Sequence, residues 1–491
     1  MIRRLAAVAG VLLAGAAALP AQERPAGPDS IAAASRAAGQ RLEAAVNTAL
    51  NRVGGNSTWG VLVVSLSNGD TLVARNADAM LAPASTMKLF TSALALDRFG
   101  PEGRFETQVL HTGAIADGVL DGDLILRGAG DPSLGGAPWS EYDEAPMERL
   151  ARGIAASGIA RITGAIVGDP SAFDDGKVPD GWARRNLQRK YAARVSALSF
   201  NENRVAVLVR PNGKLASISF RPAATGIDVE NTVRVVKGSR SASIRVSQDS
   251  VLGRVKVSGW IGALSGTRTY PMMVENPELI AAGALRAALA DAGVTVDGPA
   301  VIRQAYVEAA PLAALPSPPL DQLVARMNGE SNNHFAELLF RNVAVSEAAT
   351  GSATTASSLL AQFLATKVNA DSTTILAADG SGLSMLDRVT PRTMVQLLDY
   401  ARRAPWGAVF ERSLPIAGLT ETLARRMRST PAMGNLHAKT GTTDIVASLA
   451  GYVTAKNGED LAFSIIYNGD NHWRAKDSID RIGAALARFS R

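Results

Sequence analysis

Pro83-Ala84-Ser85-Thr86-Met87-Lys88-Leu89-Phe90 is the stretch that decides how this chain folds. A serine and a lysine three residues apart share one face of a helix's first turn. Leu89, Phe90, Ala93 and Leu94 make that helix apolar enough to be buried. A buried lysine beside a polar partner loses its proton more easily than a solvated one, so Lys88 can accept the Ser85 hydroxyl proton. The free N–H groups of the first turn, Ser85's included, face a developing oxyanion. The plain alternative is a serine helix cap beside a solvated lysine. Ser85-x-x-Lys88 is the only pair in the chain with this spacing.

Two later strings complete a set. Ser331-Asn332-Asn333 precedes the apolar helical run His334 to Phe340. Ser331 either relays a proton between Lys88 and a leaving group or simply caps that helix, and Asn333 would hold Lys88 or a substrate amide. Lys439-Thr440-Gly441-Thr442 opens a β-rich stretch and suits a strand edge lining a cleft. There Lys439 supplies positive charge for a carboxylate and Thr440 a hydroxyl for the same group. Gly441 lets backbone approach closely, and the Thr442 N–H completes an oxyanion hole with that of Ser85. The alternative is a surface lysine on a turn. Basic residues are overwhelmingly arginine, yet lysine fills both positions that need a titratable amine. S-x-x-K, S-x-N and K-T-G in this order belong to enzymes whose serine nucleophile is activated by lysine.

Competing constellations are missing from the sequence. It has no G-x-S-x-G, P-loop or H-E-x-x-H string, and its four histidines, His111, His334, His437 and His472, are dispersed. His437 would share a strand face with Lys439, as a cleft residue or a packed one. A second S-x-N, Ser199-Phe200-Asn201, sits among loop signals and reads as structural.

Outward from the motifs the pattern is α+β. Ile31 to Leu50 is an amphipathic helix, followed by a hairpin of Trp59 to Leu66 and Thr71 to Ala74 about Asn68-Gly69. From about 104 to 310 the chain turns to short β-rich runs, with one helix near Pro277 to Ala292, and Pro311 to Pro319 reads as a linker. Helical patterns return over Leu320 to Arg341 and Thr390 to Arg402. Strands follow at Lys439 to Thr442, Val446 to Thr454 and Leu461 to Asn468, then a helix at Ser478 to Phe489. Hairpins at the two ends can pair into one antiparallel sheet covered by helices. The expected organisation is a discontinuous domain of residues 22–103 and 311–491, interrupted by one or two β-rich domains over 104–310.

Composition narrows the setting. At 491 residues and 47% hydrophobic, the chain can bury a large core. Arg3, Arg4 and the apolar run Leu5 to Leu19, with Ala21 before Gln22, read as an export signal over residues 1–21. A short N-terminal anchor is the alternative; no later stretch looks transmembrane. There is no cysteine, which excludes disulfides, thiolate metal sites and a thiol nucleophile. Net charge is +6, or +4 without the signal, and the basic residues are too scattered for nucleic-acid binding.

With its three strings and their spacing, the chain resembles the class C low-molecular-mass penicillin-binding proteins, the D-alanyl-D-alanine carboxypeptidase/endopeptidase family. Further likenesses are Leu126-Arg127-Gly128-Ala129-Gly130-Asp131-Pro132-Ser133-Leu134, Asp379-Gly380-Ser381-Gly382-Leu383-Ser384 and Leu414-Pro415-Ile416-Ala417-Gly418. The resemblance implies a DD-peptidase/β-lactamase-like fold with a long insertion between the first two motifs. It implies Ser85 as nucleophile, Lys88 as base, Ser331 and Asn333 as relay pair and Lys439 as carboxylate binder. It implies periplasmic action on peptidoglycan stem peptides through an acyl-enzyme, with β-lactams as covalent inhibitors and neither metal nor organic cofactor. In some relatives an aspartate of the insertion contacts the stem peptide's diamino acid; Asp169 is the best match, with a loop-capping role as the alternative. Asn332 stands where Asp is frequent. A β-lactamase on the same motifs would want a deacylating glutamate after the second string, and only Glu347 lies there.

Overall fold

The computed structural model describes residues 28–135, 146–223, 227–248, 254–306 and 308–491. The export signal expected at 1–21 lies outside them. The chain's two ends meet in a five-stranded antiparallel sheet, in the order Thr71–Arg75, Ser57–Ser65, Asp460–Gly469, Val446–Thr454, Leu436–Thr442. At its centre Val61 lies opposite Ile465.

Side chains alternate across each strand. Trp59, Val61, Val63, Phe463, Ile465 and Tyr467 enter a core shared with the helices Pro28–Leu50 and His472–Arg488. Leu62, Ala462 and Ile466 enter a second core on the other face, with the helices Lys88–Phe99, Leu320–Glu330, Asn333–Val345 and Pro391–Arg403. Both faces are therefore covered, which is why these strands read as continuous apolar runs.

The single helical pattern read over Leu320 to Arg341 is two helices. Ser331 breaks it with a left-handed φ of +59°. Asn332, not Ser331, caps the second helix, its side chain accepting the Phe335 N–H at 3.3 Å.

Between the two halves the chain builds a separate core. Its largest sheet runs in the order Ala300–Ile302, Ile166–Asp169, Leu124–Arg127, Glu106–His111, Ala310–Pro316. Most of the expected linker Pro311 to Pro319 is thus a strand, antiparallel to Glu106–His111. Its prolines misled the reading. The strand is an edge, and its register shifts just after Pro311, positions where a missing N–H costs no ladder bond.

Candidate functional site

Ser85 sits in a tight 3₁₀ turn, Ala84–Met87, that leads into the helix beginning at Lys88. The turn is strained and held. Ala84 has a φ of +49°, which a non-glycine residue keeps only when its surroundings impose it. Ser448 Oγ donates to Pro83 O at 2.6 Å, tying the turn to the sheet. From the other side Gly382, at φ +80°, lies so close that a Cβ there would be 1.9 Å from Ala84 O. The edge strand also lies close, since a Cβ on Gly441 would fall 2.7 Å from Pro83 O and 3.1 Å from Ser85 N. Only glycine allows the two contacts.

Ser85 keeps partial solvent access, whereas Lys88 has none. Lys88 Nζ lies 3.1 Å from Ser85 Oγ, 2.6 Å from Asn333 Oδ1 and 2.7 Å from Ser381 O. Burial pulls its pKa from the usual ammonium range down to about 8, against an upward pull from Asp379, Glu337 and Asp387. Asn333 is fixed in turn, its Nδ2 donating to Tyr191 O at 2.8 Å. Lys439, also fully buried, donates to Ser331 Oγ at 2.8 Å and to Thr440 O at 2.8 Å. Burial, with Lys88 facing it, drives the Lys439 pKa well down. Burial thus works against the standing positive charge expected of Lys439. Thr440 Oγ1 donates to Thr422 Oγ1 at 3.1 Å, and Thr442 is exposed. The fold thus gathers Ser85, Lys88, Ser331, Asn333, Lys439 and Gly441 in one place.

Beneath Lys88 is a layer of buried acids to which the sequence reading gave no role. Asp379 accepts N–H bonds from Ser381 at 2.9 Å, Gly382 at 2.6 Å, Ser384 at 2.7 Å and the Trp182 indole at 2.7 Å. It thereby shapes the loop whose Ser381 carbonyl receives Lys88. Burial, with Asp379 adding to it, raises Glu337 to about 8 and pushes Asp387 well above its usual value. Glu337 therefore favours its protonated form near neutral pH. The signal was the Asp379 to Ser384 string, which combines turn residues with an acid.

Several candidates belong elsewhere. Asp169 is fully buried in the inserted sheet and accepts from Arg127 Nε at 3.0 Å, Ser171 N at 2.9 Å and Ala305 N at 3.0 Å. Its carboxylate is occupied by structure, as the capping alternative has it. Ser199 accepts from Asn203 Nδ2 at 3.0 Å and is buried. Glu347 pairs with Arg98 at the surface and is no deacylating base. His437 is a half-buried strand residue with Glu411 3.9 Å away.

Comparison with known proteins adds to the geometry. Residues 42–489 match the model of the D-Ala-D-Ala carboxypeptidase 3 (S13) family. A D-alanyl-D-alanine carboxypeptidase of Actinomadura sp. (strain R39) is 32% identical over 449 residues, covering 88% of this chain and 81% of that one. The D-alanyl-D-alanine carboxypeptidase DacB of Haemophilus influenzae is 28% identical over 443 residues, covering 89% and 90%. The crystal structure of penicillin binding protein 4 (dacB) from Haemophilus influenzae superposes with a TM-score of 0.74 at 26% identity, covering 90% of this chain and 98% of that one.

Proposed function

The chain belongs to the D-Ala-D-Ala carboxypeptidase 3 (S13) family, and on that footing we propose how its own residues perform the hydrolysis. It is a serine-type D-alanyl-D-alanine carboxypeptidase that β-lactams acylate. Ser85 Oγ attacks the carbonyl of the penultimate D-Ala of a peptidoglycan stem peptide as its proton passes to unprotonated Lys88. The Ser85 and Thr442 N–H groups receive the oxyanion. The tetrahedral species collapses to an ester on Ser85, and the departing amine, of D-Ala or of a cross-linked partner, takes up a proton through Ser331. Water then hydrolyses the ester. Lys439 and Thr440 hold the terminal carboxylate, whose arrival favours the charged form of Lys439 that burial opposes.

One observation carries this reading: an amine 3.1 Å from Ser85 Oγ whose pKa is lowered to about 8. A base is most effective when its pKa lies near the working pH. We place the reaction in residues 28–103 with 317–491, while the inserted region, which includes the strand Ala310–Pro316, lends Tyr191 and Trp182 as supports. A peptidoglycan substrate means work outside the cytoplasmic membrane, in a periplasmic or equivalent space, and the signal pattern of residues 1–21 supports that location.

The test treats the protein lacking residues 1–21, and its Ser85→Ala variant, with fluorescent penicillin and purified muropeptides. The wild type should take a covalent label and release D-Ala, and the variant should do neither. Product masses separate release of D-Ala from cleavage of cross-links. A folded wild type that takes no label, or a variant that labels equally, overturns the assignment.

A further inference from the structure

Arginines scattered along the sequence converge on a groove of about 680 Å³ beside the helices Pro28–Leu50 and His472–Arg488. These helices cover the face of the five-stranded sheet opposite the Ser85 helix. Arg52 reaches the groove from just beyond the first helix, Arg425 and Arg428 from the loop after Glu421–Leu423, and Arg481 and Arg488 from the last helix. All five are exposed.

The two acids in the lining are already committed. Asp477 accepts from Arg481 Nε at 2.9 Å, and Asp480 accepts from Arg426 at 2.9 and 2.6 Å. Arg428 Nε donates to Ala424 O at 2.9 Å. Among the described residues, Arg52, Arg425, Arg428 and Arg488 have no carboxylate at ion-pair distance. Four uncompensated guanidinium groups around one concavity repel one another, and the field they focus there attracts an anion. Their planar forks match the oxygens of a phosphate in bidentate fashion. Ala45, Ala49 and Ala484 keep the walls low, leaving room beside the charges.

We propose that this groove binds a phosphate-rich anionic polymer, as an attachment point separate from the cleavage site. A concave channel between helices suits a strand better than a membrane plane, and the one large apolar side chain exposed on the last helix, Trp473, lies outside the lining. The groove is also linked to the cleft. Thr422 touches Thr440, and Arg425 and Arg428 follow a few residues on in the same loop. A polymer held there would tether the enzyme beside the loop that leads to the cleft, and the inference is independent of the chemistry at Ser85.

The probe is a short-chain inorganic polyphosphate, with binding followed by fluorescence anisotropy at low and physiological salt. Replacing Arg52, Arg425, Arg428 and Arg488 together by Gln should weaken binding about tenfold or more and flatten its salt dependence. Penicillin labelling should be retained, reporting an intact fold. A control replaces Arg210, Arg234, Arg240 and Arg245, exposed on the insertion, with the same change in charge. Equal weakening by the control, unchanged binding by the groove variant, or no binding by the wild type overturns the proposal. Phosphatidylglycerol vesicles form a second arm. Groove-dependent binding to vesicles without binding to polyphosphate would make this a membrane site and also overturn it.

Discussion

Asn333 Oδ1 stands 2.6 Å from Lys88 Nζ, at the shortest of that amine's three contacts, while its Nδ2 is held by Tyr191 O. One side chain therefore orients the base and joins it to the insertion. Asn333→Ala should slow penicillin acylation by up to about tenfold, the range for losing a hydrogen bond that orients a neutral amine. Asn333→Asp should instead raise the pH at which acylation is half-maximal, because a carboxylate beside Lys88 favours the ammonium. Stopped-flow labelling across pH distinguishes the two.

As the proposed base, Lys88 must be unprotonated to act. With its pKa lowered to about 8, acylation should rise with pH and reach half its plateau near that value. Lys88→Arg keeps the charge but cannot give up its proton, so labelling should fall at least about a thousandfold. A flat profile between pH 6 and 9 would argue for a different base.

Asp379 raises the Lys88 pKa and organises the 380–384 loop. Asp379→Asn should lower the midpoint of the pH profile. It should also cost about 1 to 3 kcal/mol of stability, because an amide cannot accept from all four present donors. A stability loss with no movement of the midpoint would leave Asp379 a purely structural residue.

Gly382→Ala brings a methyl against Ala84 O at a φ of +80°. The left-handed conformation alone costs roughly 1 to 2 kcal/mol, and the clash adds to it. The Ser85 turn must move to accommodate it. Thermal unfolding should shift down and labelling should slow together.

His334 is buried with neither ring nitrogen partnered among the described residues, and burial lowers its pKa to about 4. The unfolded chain takes up a proton there below about 6.5, which the folded chain resists. The associated stability is present above 6.5 and is lost as pH falls toward 4, by about 3 kcal/mol. His334→Phe should flatten that part of the pH dependence in urea unfolding.

The site was legible because its chemistry is concentrated in short strings whose residue types admit few other uses together. The sheet was legible because a strand buried on both faces is almost wholly apolar, as in Leu461 to Tyr467, where Ser464 is the one small polar residue. What escaped was set by tertiary context. Ser331 adopts a left-handed backbone where apolar spacing continues across it, so two helices read as one. Pro311 is tolerated at an edge-strand irregularity that a linear reading cannot locate. The role of Asp379 depends on an indole about two hundred residues away, and the arginine groove gathers residues from both ends of the chain.

The pairing of Ser57–Ser65 with Asp460–Gly469 has a consequence for biosynthesis. The innermost strands of the sheet are separated by nearly the full polypeptide, so contacts between them form slowly and late. A nascent chain halted before Asp460 exposes the apolar edge of Ser57–Ser65 without its mate. Catalytic competence is thus withheld until Asp460–Gly469 has been made, and products truncated before it should be cleared by proteolysis instead of persisting as partly active enzyme.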